Sequence, residues 1–264
     1  MNFNDGKDLI LALAKIRGDS SGKPFLWWYR GDQYALKDMH SQILFAVEGA
    51  QIGKFVRKED GSWDHTFRDV MFYKDAMTGE RLESFTNPIT GAKVSPPVMR
   101  MGPFTTSTSA DGAIFNQPAA LPPGMDAKWV VEPAVVRGDD IYIKEIGTTR
   151  IAKPGMEKQP DAKKYHHIND FLMHYGKVSY VRDPNCTNSP ARQTFQSCNN
   201  WTPWLKMGDA EGFMIGRGIG TKLTDITELP ANLLDWIKAD EPAFLKDPEL
   251  APWDKAYTPV NQKR

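Results

Sequence analysis

Between Trp63 and Arg100 apolar and polar residues alternate without giving either class a clean face. From Thr66 to Lys74, Phe67, Asp69, Met71 and Tyr73 share one side, and Arg68, Val70, Phe72 and Lys74 share the other. A strand with one solvated face would separate the two classes. Apolar residues on both faces, with a few charges among them, predict a sheet enclosing a partly polar interior. Asp75–Gly79 and Asn87–Gly91 end in glycine and read as turns, with Arg81 to Phe85 returning the chain between them.

Other elements follow from the same kind of pattern. Asn4 or Asp5 caps a predicted helix with Leu9, Ile10, Leu13 and Ile16 as its stripe and Gly18 as its stop. Pro24 to Arg30 reads as a strand, Gly31-Asp32 as a turn, and Tyr34 to Leu36 as the partner strand. Ile43 to Val56 is a long strand in which Gly49 and Gly53 mark bends. Lys58 to Gly61 is a hairpin turn. Val98 to Thr108 is a further strand, followed by a turn at Ser109–Gly112 and a loop at Pro118–Gly124. Trp129 to Val136 and Ile141 to Ile151 form a hairpin around Arg137–Asp140, with Ile141, Ile143 and Glu145 on one face. Lys153–Lys164 reads as a loop, His166–Tyr175 and Lys177–Arg182 as two extended pieces, and Pro184–Asn200 as a long polar loop. The run GFMIGRGIG, Gly212 to Gly220, lacks the spacing of a dinucleotide-binding loop and reads as a strand that other backbone approaches closely. A helix at Pro230–Lys238 and a proline-punctuated tail, Glu241–Arg264, complete the chain. The expected fold is mainly β. It is one domain over residues 1–264, a single antiparallel β-barrel of the lipocalin-like kind with a short helix near each end. A two-sheet β-sandwich is the alternative for the same strands.

Composition narrows the partners. Lys+Arg and Asp+Glu both number 33, so net charge is zero, and no run of five like charges is hidden in that balance. Phosphate backbones need a basic surplus, so no nucleic-acid partner is expected. Aromatic residues make up 11% and include eight Trp, enough for a large core or an aromatic-lined pocket. A homodimer through a concealed apolar patch is a further expectation. No apolar run approaches the ~18 residues that span a membrane, and the N-terminus lacks an export pattern. The expected compartment is the cytoplasm, a trimmed export signal being the other route to this N-terminus. Cys186 and Cys198 either bridge the polar loop or stay free; a reducing cytosol favours free thiols.

The ordered set Lys15-Ile-Arg-Gly18, Gly22, Trp27-Trp28, Asp75-Ala-Met-Thr-Gly79-Glu80, Asn87-Pro-Ile-Thr-Gly91, Trp201-Thr-Pro-Trp204-Leu-Lys-Met-Gly208 and Leu229-Pro230 resembles the DUF1838 family of bacteria and fungi. The family's DP-x-TG stands here as DAMTG, and the Pro184–Asn200 stretch looks like an insertion. The resemblance implies a globular, β-barrel-like domain and brings no catalytic mechanism.

Candidate chemistry rests on a few polar residues. Three of the five His, namely His166, His167 and His174, fall in one short span. In a strand His166 and His167 face opposite sides, and His166 lies ~26 Å from His174, so no metal site is expected from them. Imidazole needs little tuning to act as acid or base near neutrality. The expected catalytic set is His167 as acid or base, Glu145 orienting it, Arg100 stabilising an oxyanion, and His166 nearby. Arg68, Tyr73, Trp27, Trp28, Trp201 and Trp204 are expected to line the substrate site, although tryptophans more often pack cores. Arg68, Arg100 and Glu145, if inward, must be paired, since an unpaired buried charge costs about 3–5 kcal/mol. No cofactor motif is present, so the expected activity is a cofactor-independent lyase, isomerase or hydratase acting on a hydrophobic, aromatic or polycyclic small molecule. A non-catalytic carrier of a similar ligand is the alternative.

Overall fold

The computed structural model describes residues 1–3, 6–109, 113–116, 124–153 and 164–246. In chain order the elements are α1 (Gly6–Arg17), β1 (Phe25–Lys37), β2 (His40–Arg57), β3 (Trp63–Lys74), β4 (Phe85–Thr86), β5 (Lys93–Val94), β6 (Met99–Thr108), β7 (Ala113–Asn116), β8 (Met125–Val131), β9 (Val135–Arg137), β10 (Asp140–Ala152), β11 (Tyr165–Lys177), α2 (Val178–Arg182), β12 (Arg192–Asn199), β13 (Phe213–Leu223), α3 (Ala231–Asp240) and α4 (Pro242–Lys246). The main sheet is antiparallel and runs β11-β12-β13-β1-β2-β3-β6-β7-β8-β10-β9, with β10 also pairing along β11. The sheet curls strongly, but β7 is laced to β6 and to β8 by only three register pairs each. The result is a curled half-barrel with short helices rather than the expected lipocalin-like closed barrel. It is not a two-sheet sandwich either, since among the described residues the only other sheet is the two-residue pair β4-β5.

Register partners share a face of the sheet, so the pairings fix which side chains point into the curl. Phe25, Trp27, Tyr29, Gly31 and Gln33 of β1 align through their ladder partners with Lys222, Gly220, Gly218 and Gly216 of β13 and with Gly53, Gln51, Gly49, Val47 and Phe45 of β2. Both ends of this concave face are filled by chain. At one end α1 packs Leu9, Ile10, Leu13 and Ile16 against Phe25, Trp27, Phe55, Ile141 and Ile143. The predicted stripe is right but too narrow, because Lys15 and Arg17 are buried as well. Lys15 Nζ donates to the Val181 and Asp183 carbonyls at the end of α2, and Lys222 Nζ donates to the Lys15 and Gly18 carbonyls at the end of α1. Cations placed at orphaned helix carbonyls also complement the helix dipole. At the other end Trp201, Trp204, Leu205 and Met207 pack on Phe45, Tyr73 and Phe85.

Among the described residues, the convex face is covered over β1–β3 and at the flanking β13 and β6, where Leu223 joins the cluster and Arg100 pairs with Glu241. Leu229, Leu233, Ile237 and Phe244, around α3 and α4, pack on Leu26, Ala50, Val70 and Phe72. That cover explains why β3 is apolar on both sides. The turns at Lys58–Gly61, Asp75–Gly79 and Asn87–Gly91 form as expected, with Gly61, Gly79 and Gly91 at positive φ.

Four expectations are corrected. Gly31-Asp32 is no turn: β1 runs through it to Lys37, and Asp38 with φ 53 makes the turn. A Cβ on Gly31 would stand 2.7 Å from the Phe195 ring, so glycine there serves close approach. Val178–Arg182 is helical, not extended. The supposed loop at Pro184–Asn200 contains β12, a strand between β11 and β13, which an insertion would not supply. Arg81–Phe85 contributes a single bridge, Lys74 to Arg81, and the start of β4. The cap at Asn4 or Asp5, most of the turn and loop between 110 and 123, the segment 154–163 and the tail from 247 onward lie outside the described residues. Cys186 and Cys198 are free thiols. No described helix is long and apolar enough to cross a membrane.

Candidate functional site

Between the two plugs the concave face is polar and only partly covered. Tyr29, Gln51, Phe67, Met101, Trp129 and Leu172 point into the curl yet are half-buried, unlike the fully enclosed residues around α1. Glu145 is the centre of its charged floor. Alternation along β10 turns it inward, and its exposure is 0%. Its Oε2 accepts from the Arg17 guanidinium at 2.5 Å, and its Oε1 lies 2.7 Å from His174 Nε2. Burial alone would raise the Glu145 carboxyl, but Arg17 and then His174 outweigh it and hold the group at about 2. Glu145 is therefore an acceptor only, so the His174 proton resides on Nε2 and Nδ1 presents its lone pair. That Nδ1 is buried and makes no hydrogen bond among the described residues. Burial lowers the His174 pKa despite the bond to Glu145, so the ring is neutral near pH 7.

His65 and Asp69 extend the floor along β3. His65 stacks between Phe55 and Phe67, with ring centroids 4.3 and 4.7 Å away. Burial, followed by the charges of Arg17 and His174, lowers its pKa well below the usual value, and its Nε2 has no partner among the described residues. Asp69, 4% exposed, accepts from Gln51 Nε2 at 3.1 Å. Burial pushes its carboxyl up to about 7, against the opposing pull of Gln51 and Arg17. Tyr29 lies close enough for the Asp69 charge to raise its phenol further, after burial has done most of that. Its hydroxyl donates to the Val70 carbonyl at 3.3 Å.

The structure brings only part of the expected set together. Glu145 faces inward as predicted, but His167 is on the other face of β11. Glu145 pairs in register with Leu172, and even-numbered residues of β11 share that face. His174 thus stands where His167 was expected. His167 is half-buried, and its backbone N–H donates to Asn200 Oδ1. His166 does point inward; burial and then Lys153 lower its pKa to about 4, and its Nδ1 has no partner among the described residues. Arg68 and Arg100 are on the convex face. Arg68 is 1% exposed, donates to the Ala243 and Phe244 carbonyls, and lies 5.6 Å from the Phe244 ring centroid. Arg100 pairs with Glu241. Both fasten the C-terminal helices rather than face the curl. Trp27 packs under α1 and donates to the Arg17 carbonyl, whereas Trp28 is convex and donates to Glu48. Trp201 donates to the Ala210 carbonyl, and Trp204 donates to the Tyr73 hydroxyl inside the plug. No group of three or more metal-ligating side chains occurs among the described residues.

A family described as "Protein of unknown function (DUF1838)" matches residues 22–116 and 150–259. The chain belongs to the DUF1838 family. No curated protein matches it. The DUF1838 match takes in His65, Asp69 and His174 but neither Arg17 nor Glu145, which complete the floor from α1 and from the first half of β10. Arg17, His174, Asp69, Gln51 and Tyr29, which line this candidate site, were not among the residues expected from the sequence. Arg17 lies within the Lys15–Gly18 motif, and Asp69 and Tyr29 alternate with apolar neighbours in strands, which was the available signal.

Proposed function

We propose that this DUF1838 protein is an enzyme performing acid–base chemistry on a partly apolar small molecule bound in the curl, of lyase, isomerase or hydratase type. The observation that carries the reading is an inward histidine hydrogen-bonded to an ionised carboxylate, with its second ring nitrogen left unpartnered. Such a histidine is an oriented base. Arg17 keeps Glu145 ionised, Glu145 fixes the His174 tautomer, and the Nδ1 lone pair takes a proton. Asp69, protonated in part at neutral pH, is the matching acid. Two groups whose surroundings push them into opposite protonation states are what removal of a proton at one atom and its return at another require. Tyr29, Phe67 and Trp129 supply the apolar walls that match a ring-bearing ligand. On this reading the barrel-like curl is a reaction chamber and the protein needs neither nucleic acid nor a membrane.

The complete burial of His174 favours a second reading, a carrier whose polar floor only orients its ligand. One experiment separates the two. Whatever co-purifies is identified by mass spectrometry, and its turnover is followed by wild type, His174→Gln and Asp69→Asn. The enzyme reading expects turnover to fall by about 10²–10⁴ in each variant while binding persists. Binding without turnover in wild type supports the carrier instead.

A further inference from the structure

One row of ladder neighbours on the concave face is left unused by the acid–base cluster. It runs Gln33, Gly216, Ser197, Asp170, Gly147 across β1, β13, β12, β11 and β10. Two of its five members have no side chain, and the space they leave is occupied from the sides. Where a Cβ on Gly216 would stand, Ser197 Oγ comes within 2.5 Å, Gln33 Nε2 within 2.6 Å and Gln33 Oε1 within 2.8 Å. The Trp129 ring lies over Gly147, 2.5 Å from the corresponding point. The neighbouring glycines Gly31 and Gly218 seat Phe195 in the same way. The row is thus a strip of hydrogen-bonding groups between two aromatic rings.

Its chemistry is biased towards acceptors. Gln33 is 7% exposed, and its Oε1 is buried without a partner among the described residues. Asp170 points inward, is half-buried and therefore reachable, and its carboxyl makes no ion pair or hydrogen bond among the described residues. The interior cations are committed elsewhere, Arg17 to Glu145 and Lys222 to the α1 carbonyls. An ammonium group offers three donors and one positive charge. It would satisfy the orphaned amide oxygen and neutralise the carboxylate, and aromatic faces attract cations. A single hydroxyl could do one of these and not the others.

We propose that the Gln33–Ser197–Asp170 row is a subsite for the ammonium group of an organic amine whose apolar part lies between Phe195 and Trp129. This rests on the reading of the curl as a ligand chamber and names the class of molecule that enters it. Burial, which pushes Asp170 up to about 7, leaves a carboxyl that gains from a cationic partner.

The test is calorimetric titration of the full chain with 2-phenylethylamine, 2-phenylethanol and 3-phenylpropionate at pH 8, on wild type, Asp170→Asn and Ser197→Ala. The amine should bind at least about tenfold more tightly than the alcohol, and Asp170→Asn should weaken it by about tenfold to a hundredfold without changing the alcohol. Ser197→Ala should give a smaller loss in the same direction. Circular dichroism checks that each variant is folded. Equal binding of amine and alcohol, or an Asp170→Asn variant that binds the amine as wild type does, overturns the subsite while leaving the chamber standing. Failure of all three probes to bind also overturns it, and the acid–base reading is then judged separately by the His174 and Asp69 variants.

Discussion

Replacing Glu145 by glutamine removes one charge and almost no volume. In the native protein that charge is shared by the Arg17 guanidinium and the His174 ring, in a setting where Glu145 has no exposure and the Arg17 side chain has 10%. The substitution therefore leaves a buried cation without its counter-charge, which costs about 3–5 kcal/mol. The carboxylate's own titration leads to a similar figure. Its pKa drops from 4.5 to about 2 on folding, and a gap of that size is worth about 3 kcal/mol. Because the folded value is the lower one, the contribution is complete above about pH 4.5 and is lost as pH falls through about 2. Urea unfolding followed by tryptophan fluorescence at pH 7 should show Glu145→Gln less stable by about 3–5 kcal/mol, a large part of a typical domain's total. Arg17→Met combined with Glu145→Gln should recover part of the loss, since it removes the stranded cation. At pH 2 the single variant and wild type should converge. A loss below about 1 kcal/mol at pH 7, or a double variant as unstable as the sum of its singles, would refute the claim that this pair forms the floor of the curl.

Other predictions address other parts of the molecule. Asp69 has the opposite sign: its pKa rises from 3.8 to about 7, so it costs stability that accumulates as pH climbs between those values, about 4 kcal/mol at the upper limit. Asp69→Asn should thus stabilise the protein at pH 8 and leave it unchanged near pH 4, and equal effects at both would contradict the assignment. Gly218→Ala should destabilise strongly, because its Cβ would stand 2.3 Å from both the Arg30 carbonyl oxygen and the Phe195 ring; Gly138→Ala, with nothing within 4 Å but a φ of 62°, should cost only about 1 kcal/mol. Arg68→Met should release the Ala243 and Phe244 carbonyls and raise protease sensitivity around α4, and a wild-type digestion pattern would show that the contact is dispensable. Thiol titration of the denatured, unreduced protein should count two thiols, whereas none would indicate a Cys186–Cys198 bridge.

Much of the fold could be read from the chain because alternation is local. Ile141, Ile143 and Glu145 were placed on one face, and that face is the inner one. The hairpin turns were legible because Gly61, Gly79 and Gly91 occupy positions that need positive φ. What misled was a pattern with two causes. The doubly apolar β3 put Arg68 among candidates for the interior, as mixed neighbours on β6 did Arg100, yet the second apolar face of β3 belongs to the contact with α3 and α4, whose docking no local signal announces. Gly31 looked like a turn because glycine marks both turns and close approach, and only the partner strand with Phe195 decides between them. That His174 rather than His167 shares the face of Glu145 was not legible for a related reason. The strand alone does not say which parity faces Glu145; the β10–β11 register does, and it is fixed across a connection that carries no readable register of its own. The raised carboxyls of Asp69 and Asp170 are products of enclosure by distant strands, which composition does not encode.

The account depends most on the state of His174, a neutral ring with its proton on Nε2 and a bare Nδ1. Nitrogen-15 chemical shifts of histidine-labelled protein, assigned with His174→Gln, report this directly. They should show one protonated and one unprotonated nitrogen at His174 at pH 7, with protonation of the ring setting in only below the usual histidine range, as expected for a pKa lowered by burial. Two protonated nitrogens at pH 7, or a proton on Nδ1 with Nε2 bare, would contradict the base assignment and the Glu145 geometry on which it stands.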